Sequence, residues 1–541
     1  MATLEIDGQE VQVEDGSTII EATEKLGIYV PRYCYHPGMS IAGSCRMCMV
    51  EVENIPKLAI ACYTPVNDGM KVSTSSEKVL KGRRDMLEFL LHNHPLDCPV
   101  CDQSGECDLQ NFYMEHGRYQ SRFLENKVKK RKAFPIGPHV VLDQERCILC
   151  TRCTRFTDEV SETHELGVFN RGDRSVIDLN PGKTLDNPYS GNVIDICPVG
   201  ALTEREFRFQ CRVWYLSSEE SICPGCSNGC NISIHYNQRR AYKAGGRRLQ
   251  RLKPRYHPQV NTWWMCDEGR FGYGFVDRHR FEFPMLRLQD ELQYAEWEEA
   301  LDKAAGVLKQ AIDEHGPESV GVIASPRLSN EELYLTKKVF GQGLGIENIG
   351  FKNPWEKEGF CDDYLIKADK NPNTRGAEEM GFKGDVKQIL EKAASGDIKV
   401  LYVFLHDLAS EEARKLLDQA GTLIFHGSNR NSTSQRAQVV LASSVWAEKD
   451  GTFTNFEGRV QRFKAALQPL DESRRDIEIL LDLAARMGQQ LVYNNAGDLF
   501  MEWFGMTYEE MNPRGENIEN RDGGSMPPPS GGSAGQQPSA N

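Results

Sequence analysis

RCILCTRCTRF, residues 146–156, and NVIDICPVGALT, residues 192–203, decide how this chain is built. Cys147, Cys150 and Cys153, two residues apart, place successive thiolates around one compact centre, and Cys197, followed by Pro198, supplies a fourth after 43 intervening residues. A triplet of this spacing closed by a distant Cys-Pro is how a loop wraps a cubane of iron and sulfide. The alternative for any such quartet is a zinc site.

Three further sets lie on either side. In YCYHPGMSIAGSCRMCMVEVE, residues 33–53, Cys34, Cys45 and Cys48 are joined by the later Cys62. A loop-borne pair plus a distal cysteine suits a binuclear centre, and Gly38 and Gly43 let the backbone approach it. HPLDCPVCDQSGECDLQ, residues 94–110, offers His94, Cys98, Cys101 and Cys107, and zinc held by one His and three Cys is the competing reading. His92 competes with His94 and is discounted. The fourth set is Cys223, Cys226 and Cys230 closed by Cys266 after 35 residues, with the basic stretch 238–257 between them, read as a solvated loop. Cys211 and Cys361 stand outside every set. One metal stabilises a fold, whereas a row of redox centres conducts electrons.

With 541 residues the chain holds several domains and needs no metal merely to bury a core. Seventeen cysteines would suggest disulfides in a secreted protein, but the N-terminus MATLEIDGQEVQVEDG is acidic and strand-like, and the repeated Cys-x-x-Cys pairs favour metal. No apolar run of membrane-spanning length occurs, so membrane contact is expected only through partners. A formal charge of −14 argues against a nucleic-acid binder.

The apolar pattern orders the rest. Strands are expected at 3–6 and 11–13 around an Asp7-Gly8 turn, then a helix capped by Ser17 and stopped at Gly27. A second helix is expected from Glu77 to Asn93, ended by Pro95. KVKKRK, 127–132, reads as a solvated connector. Beyond about 285 strands at 319–324, 400–405 and 422–425 alternate with helices after Asn330 and Ser410, which implies a parallel α/β domain. GQGLGIENIG, 341–350, lacks the G-x-G-x-x-G frame and reads as a turn, so no nucleotide site is expected. From about 512 the chain becomes rich in Pro, Gly and Ser and is expected to be disordered.

The order of the four sets with SCRMCMVEVE, HPLDCPVCDQSGECDLQ, RCILCTRCTRF, NVIDICPVGALT and CDEGRFGYGFV resembles the large, G-type iron-sulfur subunit of bacterial respiratory complex I. AEKDGTFTNFEGRVQ, 447–461, is similar to molybdopterin oxidoreductases, although that domain is short here. The resemblance implies a 2Fe-2S centre in the first set and 4Fe-4S centres in the other three, His94 as a true ligand, the fourth centre off the main path, no molybdopterin and no catalytic residue. It implies a multidomain α+β and α/β chain: a 2Fe-2S ferredoxin-like (β-grasp) domain at 1–78, 4Fe-4S domains at 79–130, 131–215 and 216–280, a shortened molybdopterin-oxidoreductase-like α/β domain at 281–511 and a tail at 512–541. The implied function is electron transfer in the peripheral arm of NADH:quinone oxidoreductase. Implied partners are a flavin- and NADH-binding subunit, the small 2Fe-2S subunit beside it and the quinone-side iron-sulfur subunits, on the cytoplasmic side of the inner (plasma) membrane. The rival is the iron-sulfur subunit of an NAD-linked formate dehydrogenase.

Overall fold

A computed structural model describes residues 1–520. Contacts divide the chain into two units, one of Met1–Leu216 with Trp263–Asp267, the other of Ser217–Thr262 with the chain from Glu268 onward.

The first unit opens with a five-stranded mixed sheet. Strand Ala2–Ile6 turns into Gln9–Val13 through Asp7 and Gly8, at φ 47° and 81°. Positive φ at both central residues gives the turn whose twist matches a hairpin. Strand alternation puts Leu4, Ile6, Val11 and Val13 in one core with Ile19, Ile20 and Ala22 of helix Ile19–Lys25. Each fully buried isoleucine contributes about 2 kcal/mol. The helix is capped by Thr18, not Ser17, because the Glu21 carboxylate accepts the Thr18 amide at 2.7 Å and Ser17 lies one residue too early for that box. Strand Lys71–Ser73 runs parallel to Ala2–Ile6, and Met49–Val52 and Ala59–Ile60 complete a β-grasp arrangement.

Helix Glu77–Asn93 covers the expected residues and is capped by Ser76. KVKKRK is a strap rather than a solvated connector. Lys127 Nζ donates to the carbonyls of Leu91 and His92, both at 2.8 Å, and the Val128 amide donates to Asn93 Oδ1 at 3.0 Å. Lys130 reaches the Ser175 carbonyl, and Lys132 pairs with Asp97 and with the buried Glu145. The basic run is needed where a helix C-terminus leaves carbonyls without partners. Beyond it Phe134–Pro135, Val140–Leu142 and Leu202–Glu204 form a small antiparallel sheet, with helices Arg152–Glu159 and Asn192–Ile196 between its last two strands.

In the second unit Ser217–Ile222, Asn231–Tyr236 and Leu249–Pro254 form an antiparallel sheet. The basic stretch 238–257 is therefore only partly a loop: part of it is a strand, and Arg248 is 6% exposed because Asp277 and Glu448 hold its guanidinium at 2.8 and 2.6 Å. The main sheet has eight strands. Its parallel part runs, in spatial order, Val439–Ala442, Thr422–Gly427, Val400–Phe404, Val320–Ile323, Ile349–Lys352 and Gly384–Asp385, with Met285–Leu288 and Glu291–Tyr294 antiparallel at one edge. VGVI and VLYVF are buried along their whole length, as sheets covered on both faces require. Residues 341–350 are not one turn: Lys337–Gly343 is a π-helix, and a short connection with Gly345 at φ 68° leads from it into strand Ile349–Lys352.

Order continues past 512, against expectation. Glu516–Asn517 pairs with Arg459–Val460, and Ile518 is buried with its amide donating to the Gly458 carbonyl. The rest of the expected tail, 521–541, lies outside the described residues. Among the described residues no helix is long and apolar enough to cross a membrane.

Candidate metal centres

The first set sits on the loop after the β-grasp helix and on the turn at 61–62. Cys34, Cys48 and Cys62 are each 1% exposed, and Cys45 is more open. The thiols lie within hydrogen-bonding reach in pairs: Cys34 with Cys45, Cys34 with Cys62, Cys48 with Cys62. The neighbouring thiols, Cys45 first, hold Cys34 well below the ordinary thiol range, and Cys34 in turn drives Cys45 up. Four thiolates this close repel unless a cationic core neutralises them, which is the fit a diferric centre offers. The backbone cooperates: Gly43 and Arg46 are at φ 60° and 56°, and the Met47 amide reaches the Cys45 sulfur. A Cβ at Gly38 would stand 2.7 Å from Trp263 Cδ1, so glycine there allows a close approach.

The third set faces a cavity lined by Cys147, Cys150, Cys153 and Cys197 with Leu142, Ile177 and Val199. Burial pushes the thiols up, Cys147 to about 12 and Cys150 to about 11. Such thiols ionise only against a cationic centre, again a fit for an iron-sulfur core. Amides are aimed at the sulfurs: Leu149 N–H donates to Cys147 Sγ at 3.4 Å, and those of Val199, Leu202 and Ala201 approach Cys197. This geometry uses two non-glycine residues in the left-handed region, Leu149 at φ 56° and Thr151 at φ 58°. Such strain gathers at functional sites and leaves no mark in the sequence.

The second set shares a cavity of about 380 Å³ with the end of helix Glu77–Asn93. His94, Cys98, Cys101 and Cys107 all line it, as does His92. His94 Nδ1 is buried without a partner, and burial, reinforced by Arg146 and Lys127, holds the imidazole at about 4. A neutral ring offers a lone pair for metal. His92 Nδ1 is likewise unpartnered, while its ring packs 4.2 Å from that of Phe123.

The three sets of the first unit are joined by contacts. Arg152 and Arg155, on the helix holding Cys153, donate to the carbonyls of Tyr35 and Cys34. The third set meets the second through the Asp108 amide, which donates to Pro198 O at 3.0 Å, and through Gly200, where a Cβ would stand 2.3 Å from Cys101 Sγ.

In the second unit Cys223, Cys226 and Cys230 are buried at one end of the hairpin Ser217–Ile222 and Asn231–Tyr236. Asn228 Nδ2 donates to Cys230 Sγ at 3.1 Å. The stretch 447–461 cradles this loop: Asn455 Nδ2 donates to Asn228 O at 3.2 Å and Gln461 Nε2 to Gly229 O at 2.9 Å. Cys266, the expected fourth ligand, is buried just before helix Asp267–Phe271 and belongs to the segment grouped with the first unit. Cys211 is partly buried and Cys361 exposed. Among the described residues no three His, Cys, Asp or Glu side chains close around a point for a single ion, and the second and third sets ring cavities instead.

Sequence reading missed two buried charge clusters of the second unit. Glu448 accepts from Arg248 and from Arg280 at 2.6 and 2.8 Å. Lys449 joins Glu332 and Asp476 at 2.6 and 2.7 Å, with His426 and Tyr402 behind Asp476. Glu448 and Lys449 both lie in the stretch 447–461, whose charges gave no hint that their partners were so distant in sequence.

Taken together, fold and sites define an iron-sulfur protein carrying 2Fe-2S and 4Fe-4S binding domains joined to a molybdopterin-oxidoreductase-like domain. Family models match in chain order: a 2Fe-2S iron-sulfur cluster binding domain over 1–77, the NADH-ubiquinone oxidoreductase-G iron-sulfur binding region over 83–122, the ferredoxin-like domain of NADH-quinone oxidoreductase subunit 3 over 137–203, the molybdopterin oxidoreductase Fe4S4 domain over 216–278, and molybdopterin oxidoreductase over 280–360 and 364–486. The G subunit of NADH-quinone oxidoreductase from Rickettsia conorii is 38% identical over 90% of this chain and 87% of its own. The mitochondrial 78 kDa subunit of NADH-ubiquinone oxidoreductase from Candida albicans is 30% identical over 91% and 83%. The G subunit from Rickettsia felis is 39% identical over 64% of this chain, a match that spans 50% of that relative's length. The chain belongs to the family that unites the G subunit of NADH-quinone oxidoreductase with the mitochondrial 78 kDa subunit.

Proposed function

We propose that the chain carries electrons within the peripheral arm of an NADH:quinone oxidoreductase, between a flavin- and NADH-binding partner and iron-sulfur partners that serve quinone. In this reading Cys34, Cys45, Cys48 and Cys62 hold one 2Fe-2S centre. His94, Cys98, Cys101 and Cys107, then Cys147, Cys150, Cys153 and Cys197, then Cys223, Cys226, Cys230 and Cys266 hold three 4Fe-4S centres. Such centres, when bound, take up and release single electrons. The protein's own part is to fix distance, exclude water and aim amides at sulfur. What carries the reading is the contact series in the first unit, where the third set touches the first through Arg152 and Arg155 and the second through Gly200. That series supports a path in which the third set lies between the first and the second. The fourth set is a side site.

The proposed modules are 1–78, 79–130, 131–215, 216–280 and 281–511, with peripheral attachment on the cytoplasmic side of the inner membrane. At the point where strand order reverses, between Val320–Ile323 and Val400–Phe404, a doubly wound sheet would seat a ligand. His406 is tied there to the carbonyls of Ala324 and Phe351 at 2.9 and 2.7 Å. Affinity purification of the tagged chain from its own organism tests the proposal. A brown complex oxidising NADH with quinone is expected, and a molybdenum-containing complex that oxidises formate would overturn it.

A further inference from the structure

Helix Arg152–Glu159 starts between two cysteines of the third set, yet its polar side chains reach the loop of the first. Arg155 Nη2 donates to the Cys34 carbonyl and lies 3.5 Å from the Cys150 carbonyl, while its Nη1 donates to Ser40 O. Arg152 Nη2 donates to Tyr35 O at 2.6 Å and its Nη1 to Ile196 O, beside Cys197, at 3.1 Å. Glu159 completes the grip by accepting the Ser40 amide at 2.8 Å. Each arginine thus has one hand on each set.

The chemistry of these contacts matters as much as their reach. Every acceptor of the two guanidiniums is a neutral carbonyl, and the Nε of each is buried without a partner. No carboxylate among the described residues is paired with either, although ion pairs are frequent elsewhere in this chain. Guanidinium does not deprotonate in proteins, so two fixed positive charges lie between sites that each gain a negative charge on reduction. In a low-dielectric setting such charges favour the reduced form of whatever they approach.

We propose that Arg152 and Arg155 are shared positioning residues that lock the first and third sets to one another and raise the reduction potentials of both together. This rests on the reading of both sets as iron-sulfur sites. The test is an EPR-monitored redox titration of the anaerobically purified full-length holoprotein and of Arg155→Gln, Arg152→Gln and Arg155→Lys. The expected result for either glutamine variant is a fall of both the 2Fe-2S midpoint and that of the third set by about tenfold in the reduction equilibrium, about 59 mV for one electron. The midpoint of the second set, whose Asp108 beside Cys107 feels Arg152 more remotely, should move less than either, and Arg155→Lys, which keeps the charge, should restore most of the shift. Movement of one centre alone, equal movement of all centres, or no movement overturns the inference. If Arg155→Gln does not retain its centres, the same titration of Arg152→Gln decides. An unmodified chain without iron-sulfur signals would instead defeat the functional reading itself.

Discussion

Replacing Gly200 by alanine should cost the chain its second centre while leaving the first and third in place. The backbone at Gly200 is outside the left-handed region, so alanine is conformationally acceptable and the effect is purely steric. The new Cβ would stand 2.3 Å from Cys101 Sγ and 3.0 Å from Gln103 Cβ. Without metal, Cys101 is the free end of a short side chain and can rotate away, at a cost of about 1 kcal/mol for repacking. With four ligands fixed on one centre it cannot rotate, and overpacking then costs about 1–3 kcal/mol. Binding bears the difference, up to about 2 kcal/mol, which weakens affinity for the centre by up to roughly 30-fold, at 1.4 kcal/mol per tenfold. The assay is anaerobic reconstitution, with EPR resolving each centre, alongside thermal melting of the metal-free chain. The apo melting temperature should fall by about 2–4 °C, the shift of 1 kcal/mol for a domain near 200 residues. Full occupancy of the second centre in Gly200→Ala would refute the placement of Cys101 as a ligand beside the third-set loop.

His94→Cys should change the spectrum of the second centre while His92→Ala leaves it recognisable, read by EPR of the reduced protein; the opposite pattern would transfer the ligand role to His92. Lys127→Ala removes two donors from the Leu91 and His92 carbonyls. At about 0.5–1.5 kcal/mol for each bond it should lower the melting temperature and loosen the second centre, seen as faster iron loss to a chelator. Glu448→Ala leaves the buried Arg280 without its carboxylate and Arg248 with Asp277 alone. A loss of about 3–5 kcal/mol is expected from chemical denaturation, and a change under 1 kcal/mol would contradict the buried pairing.

Sequence carried far where local chemistry decides the outcome. The Asp7-Gly8 turn, the helix from Glu77 to Asn93 and the strands at 400 and 422 all rest on periodicity and turn residues, and they stand within a residue or two of expectation. Cysteine spacing likewise led to groups that the fold brings together in the first three sets. What remained hidden is non-local. KVKKRK looks solvated until helix Glu77–Asn93 supplies carbonyls 35 residues upstream. Arg248 looks like part of a basic loop until Glu448, 200 residues away, meets it. The tail beginning at 512 is polar enough to read as disordered, yet strand Arg459–Phe463 offers its edge to Glu516–Asn517. The strained Leu149 and Thr151 belong to the same class, because a residue type says nothing about a conformation imposed by its surroundings.

In the proposed reading the four ligand sets hold iron-sulfur centres of two kinds. Mössbauer spectroscopy of the anaerobically purified, iron-57-enriched chain measures this directly, because binuclear and tetranuclear centres give separable signals in proportion to their iron. One 2Fe-2S and three 4Fe-4S centres per chain are predicted, with Cys150→Ser removing one tetranuclear component and sparing the binuclear one. Stoichiometric zinc with no sulfide, or iron signals indifferent to Cys150→Ser, would contradict the account.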